Sequence, residues 1–401
     1  SNYKGIPKQI KAIPSLARLY FSFPTKINLR KAPCQEVIEE PNLDEMPVLK
    51  CWPEDGGPFF TLPLVFTKDP EDGTQNIGMY RLQVYDEKTT GMHWHLHKDG
   101  KQIYEKYRKL GIKKMPVSVA VGCDPATVYA ATAPLPKMVD ESMFASFLRR
   151  RPLQLTKSIT NDIYVPSNSE FILEGYVDVD ELRLEGPFGD HTGYYSLADM
   201  YPVFHLTKVT RKKNPVFHAT IVGIPPMEDC FLGKATEKIF LPLLQMTLPE
   251  IKQMHLPFEG VFHNCALTTI EKEYTGHANK LMYSLWGMGQ MMYQKLILVY
   301  DHDKDLFNYK ERFIEFVLNC DVENDIITTS GPLDALDHSS KKSHYGFRVG
   351  IDLTSKDTPL VNKAYYNNVD HNAIKSISNK ILDVVTPEIE GKHYVLFLKF
   401  D

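Results

Sequence analysis

The hydrophobic pattern of this chain changes near residue 225, and this change restricts the fold to two different domains in series. Before it, short β-like runs such as 60–67 and 76–85 alternate with turn clusters. After it, strand and helix patterns alternate, and 295–301 (KLILVYD) contains the continuous apolar run of a strand covered on both faces. We therefore predict an α/β (α+β) chain in which a sheet-rich domain precedes an α/β domain.

Prolines and turn clusters set the expected boundaries. We predict an N-terminal connecting segment (1–50), a sheet-rich domain (51–225), a connecting helix (226–250), an α/β domain (251–340) and a tail (341–401). Helical periodicity is expected at 141–150 within the first domain and at 373–384 within the tail.

Charge and cysteine usage exclude several classes of protein. Lys and Arg number 46 against 50 Asp and Glu, so no net field favours nucleic acid or an acidic membrane. The sequence has no apolar run of the ~18 residues that a spanning helix needs. The six cysteines show no Cys-x-x-Cys spacing, which argues against a thiolate metal site. We expect a cytoplasmic protein that acts on a small molecule.

Three histidines, His93, His95 and His97, alternate along one predicted strand. Alternate residues of a strand point to the same face, so the three imidazoles share a face. Such a face can bind zinc or iron. It also fits a polar surface or the lining of a cofactor site, and the pattern alone leaves these interpretations open.

Two carboxylates, Glu185 and Asp190, flank a segment (EGPFGD) that glycine and proline keep from being helical. In a partly dry pocket, such a pair has its pKa values pushed apart, which suits one carboxyl group to donate a proton at neutral pH. A solvated surface turn is the simpler interpretation.

Arg81 begins a predicted strand and has Gln83 on the same face. It is either a cross-strand surface charge or a fork that binds a carboxylate or phosphate. The sequence has no Gly-rich phosphate loop, because Gly287 and Gly289 lie within a helix pattern. A nucleotide phosphate would therefore need a metal ion or basic side chains to hold it.

Seven stretches together resemble the UbiD family, the 3-polyprenyl-4-hydroxybenzoate decarboxylases and their ferulic acid decarboxylase relatives. They are 51–55 (CWPED), 76–81 (NIGMYR), 124–126 (DPA), 130–136 (AATAPLP), 185–195 (EGPFGDHTGYY), 225–229 (PPMED) and 232–236 (LGKAT). The resemblance implies a central split β-barrel that binds flavin, joined by a helix to a C-terminal α/β domain. Family members usually carry an N-terminal domain before the segment that resembles 3–33, so we expect that domain to be largely absent.

The resemblance also implies prenylated FMN, held by Mn²⁺ or Mg²⁺ with a potassium ion nearby. Asn76 and Glu141 match metal-ligand positions, and the third ligand is His97 or Asp99. Hard oxygen ligands and phosphate suit such a cation. The cofactor-lining positions that carry over are Met79, Tyr80, Arg81, His93, Trp94, His95, Lys98, Asp99, Ala131, Thr132 and Arg348.

The chemistry implied by the resemblance is reversible, non-oxidative decarboxylation of an aromatic or α,β-unsaturated acid. The expected substrate is of the 3-polyprenyl-4-hydroxybenzoate type, used in ubiquinone-type quinone biosynthesis. Arg81 orients the substrate carboxylate, Glu185 holds Arg81, and Asp190 protonates the carbon after CO2 leaves. The family further implies a flavin prenyltransferase as cofactor supplier and a homo-oligomer, a dimer or hexamer, with peripheral membrane contact left open.

Two other functions fit part of the pattern. A cupin-like metal oxygenase built on His93, His95 and His97 predicts bound iron without flavin. A non-catalytic flavin-binding barrel would carry flavin but would not need Glu185 and Asp190 beside its reactive ring.

Overall fold

The structure is a computed structural model that describes residues 23–28, 32–94, 99–135, 139–334, 336–342, 344–356, 368–389, 392–393 and 396–400. The chain divides into two compact units, Ser1–Leu232 and Gly233–Asp401. The predicted α/β (α+β) fold class is confirmed. The main sheet of the first unit curls into half a barrel, and the second unit is α/β.

Fourteen strands are described in the first unit. They are β1 (Thr25–Lys26), β2 (Val37–Glu39), β3 (Phe59–Phe60), β4 (Leu64–Lys68), β5 (Gln75–Met79), β6 (Leu82–Asp86), β7 (Thr89–Gly91), β8 (Lys114–Val121), β9 (Gln154–Lys157), β10 (Tyr164–Pro166), β11 (Phe171–Glu185), β12 (Phe188–Gly189), β13 (Tyr195–Ser196) and β14 (Asp199–Arg211). The main sheet has the antiparallel order β3-β6-β7-β14-β11-β8-β4-β5, with β2 also on β14. Smaller sheets are β1-β9-β10 and β12-β13.

The main sheet has a hydrophobic core on each face, because its strands are apolar at consecutive positions. Along β4, Leu64 and Phe66 enter one core whereas Val65 enters the other, as the two-residue period of a strand requires. Along β8, Val119 and Ala120 divide in the same way. Each such large apolar side chain contributes roughly 1.5–3 kcal/mol when fully buried. This two-sided core holds the strands that carry the site in fixed register.

Among the described residues, three helices lie wholly in the first unit: α1 (Asp99–Lys109), α2 (Pro125–Ala130) and α3 (Glu141–Arg149). The predicted helix at 141–150 is confirmed. The side chain of Asp140 caps α3, accepting from the backbone amides of Ser142 at 2.6 Å and Met143 at 3.0 Å. The cap fixes the backbone at Glu141, the first residue of this helix. Helix α4 (Glu228–Thr247) then crosses the division between the two units.

The second unit is built on a five-stranded sheet with the order β15-β16-β17-β19-β18. Its strands are β15 (Ile251–His255), β16 (Cys265–Ile270), β17 (Leu296–Asp301), β18 (Ile326–Pro332) and β19 (Tyr345–Asp352), and its helices are α5 (His277–Trp286) and α6 (Tyr309–Asn319). The three central strands are parallel and the edge strands antiparallel. Ile297 packs in a core with α5, whereas its neighbour Leu298 packs on the opposite face with Phe316 of α6. The predicted covered strand at 295–301 is therefore confirmed.

The tail departs from the sequence prediction. Instead of one helix over 373–384, it forms α7 (His371–Ser376) followed by β20 (Ile381–Val385), which pairs with β23 (Phe397–Phe400). A β-bulge between Ile381 and Asp383 puts Ile381 and Val384 on the buried side, three residues apart. That spacing imitates a helix in the sequence. A short hairpin, β21 (Glu388–Ile389) and β22 (Lys392–His393), completes the described tail.

Within the described part of the chain, no helix combines the length and apolar character required to cross a bilayer.

Candidate active site

Three charged side chains that are far apart in sequence meet in the first unit. Glu185 is the last residue of β11, Arg81 lies between β5 and β6, and Asp190 follows β12. Arg81 donates from Nε to Glu185 Oε1 at 3.2 Å and from Nη1 to Asp190 Oδ2 at 2.9 Å. All three side chains are at most 10% exposed. The surface interpretation of Arg81 and the solvated-turn interpretation of the two carboxylates are therefore wrong.

The backbone between the two carboxylates is held by groups outside the turn. Gly186 has a φ of +94°, which favours glycine, and its amide donates to the side chain of Gln83 at 2.7 Å. Farther along, the amide of Gly189 donates to Asp55 Oδ1 at 2.8 Å. The other oxygen of Asp55 accepts from the amide of Trp52 at 2.9 Å. Asp55, the last residue of the segment 51–55, therefore anchors the backbone immediately before Asp190.

Glu185 is fully buried and is held in its ionised form by two partners. Burial alone would raise its pKa, but the hydrogen bond from His93 and the charge of Arg81 outweigh burial and lower the pKa. His93 Nδ1 lies 2.6 Å from Glu185 Oε2, and its ring stacks on Tyr201 with centroids 4.3 Å apart. Burial, followed by the charge of Arg81, lowers the pKa of His93. His93 is thus a neutral imidazole that donates to Glu185.

The guanidinium of Arg81 has a fixed position. Besides its two carboxylate partners, it donates from Nη2 to Ser196 Oγ at 3.0 Å. One face lies 4.5 Å from the ring centroid of Phe188, within the range of a cation–π contact. The fork is preorganised to bind a planar carboxylate.

Asp190 is also ionised, because donors surround it. Burial would raise its pKa, but the hydrogen bond from His191 and the charge of Arg81 lower it well below its usual value. His191 Nδ1 lies 2.9 Å from Asp190 Oδ1 and 3.6 Å from Asp229 Oδ2. Burial and the neighbouring Glu228 raise the pKa of Asp229 to about 6.

A second cluster joins β5 to α3. Asn76 Nδ2 donates to Glu141 Oε1 at 3.0 Å, and the amide of Ile77 donates to Glu141 Oε2 at 3.2 Å. The buried oxygen Asn76 Oδ1 has no hydrogen-bond partner among the described residues. Burial raises the pKa of Glu141 to about 7, with Asp140 and Asp99 contributing in the same direction. The amide oxygen of Asn76 thus lacks a partner, and the carboxylate of Glu141 is costly to ionise without a cation nearby. Together, these oxygens form a donor set that fits a divalent cation.

Two residues, Asp99 and His97, are the candidates for the third metal ligand. Asp99 begins α1 and acts electrostatically on Glu141, whereas His97 lies outside the described residues. Over the described residues, no group of three or more His, Cys, Asp or Glu side chains is placed to hold a metal. Asn76 and Glu141 alone do not complete a site.

Among the expected cofactor-lining residues, Tyr80 and Trp94 are buried and Met79 packs partly buried against one core. Trp94 Nε1 is buried with no partner among the described residues, so it can donate to a ligand. A Cβ on Gly100 would lie 2.8 Å from that nitrogen and 3.3 Å from the Tyr80 hydroxyl, so the start of α1 approaches both rings closely. His95 and Lys98 lie outside the described residues.

The remaining expected cofactor residues are Ala131 and Thr132 in the first unit and Arg348 in the second. Ala131 ends α2 and packs against one core, and the Thr132 hydroxyl donates to the carbonyl of Tyr129 at 2.9 Å. Arg348 belongs to the second unit, where Nη1 donates to the Met292 carbonyl at 3.0 Å. The fork of Arg348 lies 5.1 Å from the ring centroid of Trp286.

Sequence reasoning assigned no role to Asp55, Ser196, His191 or Asp229, although the structure places all four in or beside the carboxylate network. Asp55, His191 and Asp229 each stand in a stretch quoted above for the family resemblance. That placement was the available signal. Pattern alone could not show that these stretches converge.

Two family models match this chain. The 3-octaprenyl-4-hydroxybenzoate carboxy-lyase Rift-related domain matches residues 25–225, and the carboxy-lyase C-terminal domain of the same family matches residues 230–353. A protein of Archaeoglobus fulgidus is 52% identical over 327 residues, covering 81% of this chain and 68% of the relative. A protein of Aquifex aeolicus is 44% identical over 354 residues, covering 88% and 73%. The chain spans 58% of a Helicobacter pylori relative that is 40% identical.

Solved structures agree with this assignment. The UbiD-class enzyme HmfF from Pelotomaculum thermopropionicum, in complex with FMN, has a TM-score of 0.76 and 28% identity, covering 86% of this chain and 78% of its own. An evolved dimeric form of HmfF, in complex with prFMN, has a TM-score of 0.74 and 25% identity, covering 89% and 83%. Vanillic acid decarboxylase from Sedimentibacter hydroxybenzoicus, in closed form, has a TM-score of 0.79 and 25% identity, covering 93% and 83%. The chain therefore belongs to the UbiD family and is a decarboxylase, a carboxy-lyase of the prenylated-FMN type.

Proposed function

We propose that this enzyme catalyses the reversible, non-oxidative decarboxylation of a 4-hydroxybenzoate that carries a substituent at carbon 3. The single observation that carries the proposal is the buried network in which Glu185 and Asp190 hold the fork of Arg81 between them. A cationic fork fixed in a dry site can bind a carboxylate, and the acid beside it can move a proton.

The comparisons support this substrate class. The matched family model describes a 3-octaprenyl-4-hydroxybenzoate carboxy-lyase, and one neighbour of the fold acts on vanillic acid. Both acids carry a hydroxyl at carbon 4 and a substituent at carbon 3. The length of that substituent, and with it a role in ubiquinone-type biosynthesis, is decided by the assay below.

Arg81 orients the substrate in the proposed reaction. Its Nη1 pairs with Asp190 in the structure, so the incoming carboxylate competes with Asp190 for the fork. The remaining bonds to Glu185 and Ser196 keep the guanidinium plane in place during that exchange. Because the site is buried, the new ion pair is weakly screened and fixes the scissile bond.

Asp190 moves the proton that replaces CO2. Losing Nη1 to the substrate removes a cationic neighbour and adds an anionic one, and both changes raise the affinity of Asp190 for a proton. The protonated carboxyl group then donates to the ring carbon from which CO2 has left. In carboxylation the same oxygen accepts the proton.

The cofactor would bind along β5. Asn76 and Glu141 would hold Mn²⁺ or Mg²⁺ against the flavin phosphate, and Trp94 and Tyr80 would line the site. Asn76 and Arg81 are separated by five peptide units, at most about 18 Å in extended chain, so one short segment carries both the proposed metal ligand and the proposed carboxylate fork. When bound, prenylated FMN supplies the electron sink for decarboxylation. A potassium ion near Ala131 and Thr132 stays a prediction.

The test is anaerobic CO2 release by protein co-expressed with a flavin prenyltransferase. We expect turnover of vanillate, 3,4-dihydroxybenzoate or 3-prenyl-4-hydroxybenzoate, and none of 3-hydroxybenzoate as the matched acid without the 4-hydroxyl. Turnover confined to cinnamate-type acids would overturn the substrate class. The cupin-like oxygenase and the non-catalytic barrel find no support in the comparisons.

A further inference from the structure

Asp190 has a second ionisable neighbour, His191, that the proposed mechanism does not use. Its Oδ2 faces Arg81, whereas its Oδ1 faces His191 Nδ1 at 2.9 Å and accepts from the His191 amide at 2.9 Å. The same His191 nitrogen lies 3.6 Å from Asp229 Oδ2. His191 Nδ1 therefore lies between two carboxylates, Asp190 and Asp229, and it contacts the oxygen of Asp190 that does not face Arg81.

The proposed reaction requires a source of protons for Asp190. Asp190 is ionised in the structure, because its partners lower its pKa, yet it must carry a proton to act as an acid. His191 Nδ1 already lies within hydrogen-bond distance of Asp190 Oδ1, at 2.9 Å. No rearrangement of the backbone is needed to transfer a proton.

We infer that His191 supplies the proton that Asp190 delivers, and that Asp229 keeps His191 in its cationic form. In this step the Nδ1–H bond of the imidazolium breaks and an O–H bond forms on Asp190, leaving a neutral imidazole and a neutral carboxyl group. Solvent then returns a proton to His191. The inference rests on the proposed function, and substrate binding at Arg81 is its trigger.

The charges around His191 fit this direction of transfer. Asp190 and Asp229 face the imidazole, Glu228 acts on Asp229, and Arg81 lies beyond Asp190. Glu228 accepts from the Thr220 hydroxyl at 2.7 Å, whereas Asp229 Oδ2 lies 3.6 Å from His191 Nδ1. Burial and Glu228 raise the pKa of Asp229 to about 6, which is still below neutral pH. Asp229 is therefore ionised at pH 7 and stabilises a cation beside it.

The first arm of the test compares His191→Asn with a matched control, His205→Asn. Asparagine can still donate to Asp190 but cannot release a proton, whereas His205 pairs with Glu181 at 2.7 Å on a partly exposed part of the sheet. We expect His191→Asn to lower kcat on the order of 10²-fold, with KM and bound flavin unchanged, and added imidazole to restore part of the rate. His205→Asn should behave as the wild type.

The second arm needs no cofactor. In flavin-free protein, the imidazole signal of His191 is followed by NMR against pH, and Asp229→Asn should shift its titration to lower pH because an anion beside it is lost. Wild-type kcat for His191→Asn, or an unchanged titration in Asp229→Asn, overturns the inference. An inactive wild-type enzyme would instead contradict the proposed function. Failure of the inference and failure of the proposed function are therefore distinguishable.

Discussion

Arg81 and Asp190 form a buried ion pair, with Nη1 2.9 Å from Oδ2 and both side chains at most 10% exposed. Removing either partner of such a buried ion pair leaves the other charge buried and unpaired, which destabilises the folded state. In the proposed reaction, substrate binding and proton transfer both involve these two side chains. The predictions below separate their contributions.

Asp190→Asn should keep flavin and metal but lower turnover by about 10²–10⁴-fold, because the amide preserves shape and cannot deliver a proton. The measurement is CO2 release beside the flavin absorbance of the same sample. An Asp190→Asn enzyme with wild-type turnover would show that another group is the acid.

Arg81→Ala should destabilise the fold as well as abolish turnover. Glu185 is fully buried and would lose its cationic partner, which costs roughly 3–5 kcal/mol in the free energy of unfolding. Arg81→Lys keeps the charge without the fork, so it should recover stability more than activity. Urea unfolding and CO2 release on both variants check this, and equal activity of Arg81→Lys and wild type would contradict the role of the fork.

Glu141→Gln should lose metal and flavin together, because it removes a charged oxygen from a site with no glycine loop to hold the phosphate. The control is Glu105→Gln, an exposed carboxylate of α1 that pairs with Lys101. Metal and flavin content, measured before and after exhaustive chelation, should fall in step in the wild type. Full retention of flavin after complete metal removal would refute the metal bridge.

Asp229→Asn should stabilise the protein at neutral pH. The folded state holds the Asp229 proton up to about pH 6, against an ordinary pKa of 3.8, so wild-type stability falls as pH rises through that window. A shift of this size corresponds to at most about 3 kcal/mol. Urea unfolding should show a gain at pH 7.5 that vanishes below pH 4, and a gain independent of pH would contradict the burial of this carboxyl group.

Secondary structure could be predicted from the sequence in some segments and not in others. The apolar run at 295–301 predicted a strand covered on both faces, and the structure confirms it, because Ile297 and Leu298 belong to different cores. Helix α1 went unpredicted, although Ile103, Tyr104 and Tyr107 follow a helical period. At Ile381 a helix was predicted where the structure has a strand, because the bulge gives the buried residues of that strand a helix-like spacing.

The site itself was accessible only through family resemblance. Arg81 and Glu185 are 104 residues apart and meet because β6, β7, β14 and β11 are neighbours in one sheet. No local period encodes that pairing. Strand β7 ends at Gly91, before His93, and His95 and His97 lie outside the described residues, so the shared face of the three histidines stays a prediction. The contact of His93 with Glu185 was not foreseen.

The central claim is that decarboxylation depends on prenylated FMN, and one comparison tests it most directly. The same preparation is loaded with FMN or with prenylated FMN, cofactor identity is verified by mass and absorbance spectra, and CO2 release is measured. We predict turnover only in the prenylated form. Robust decarboxylation by the purely FMN-loaded form would contradict the account.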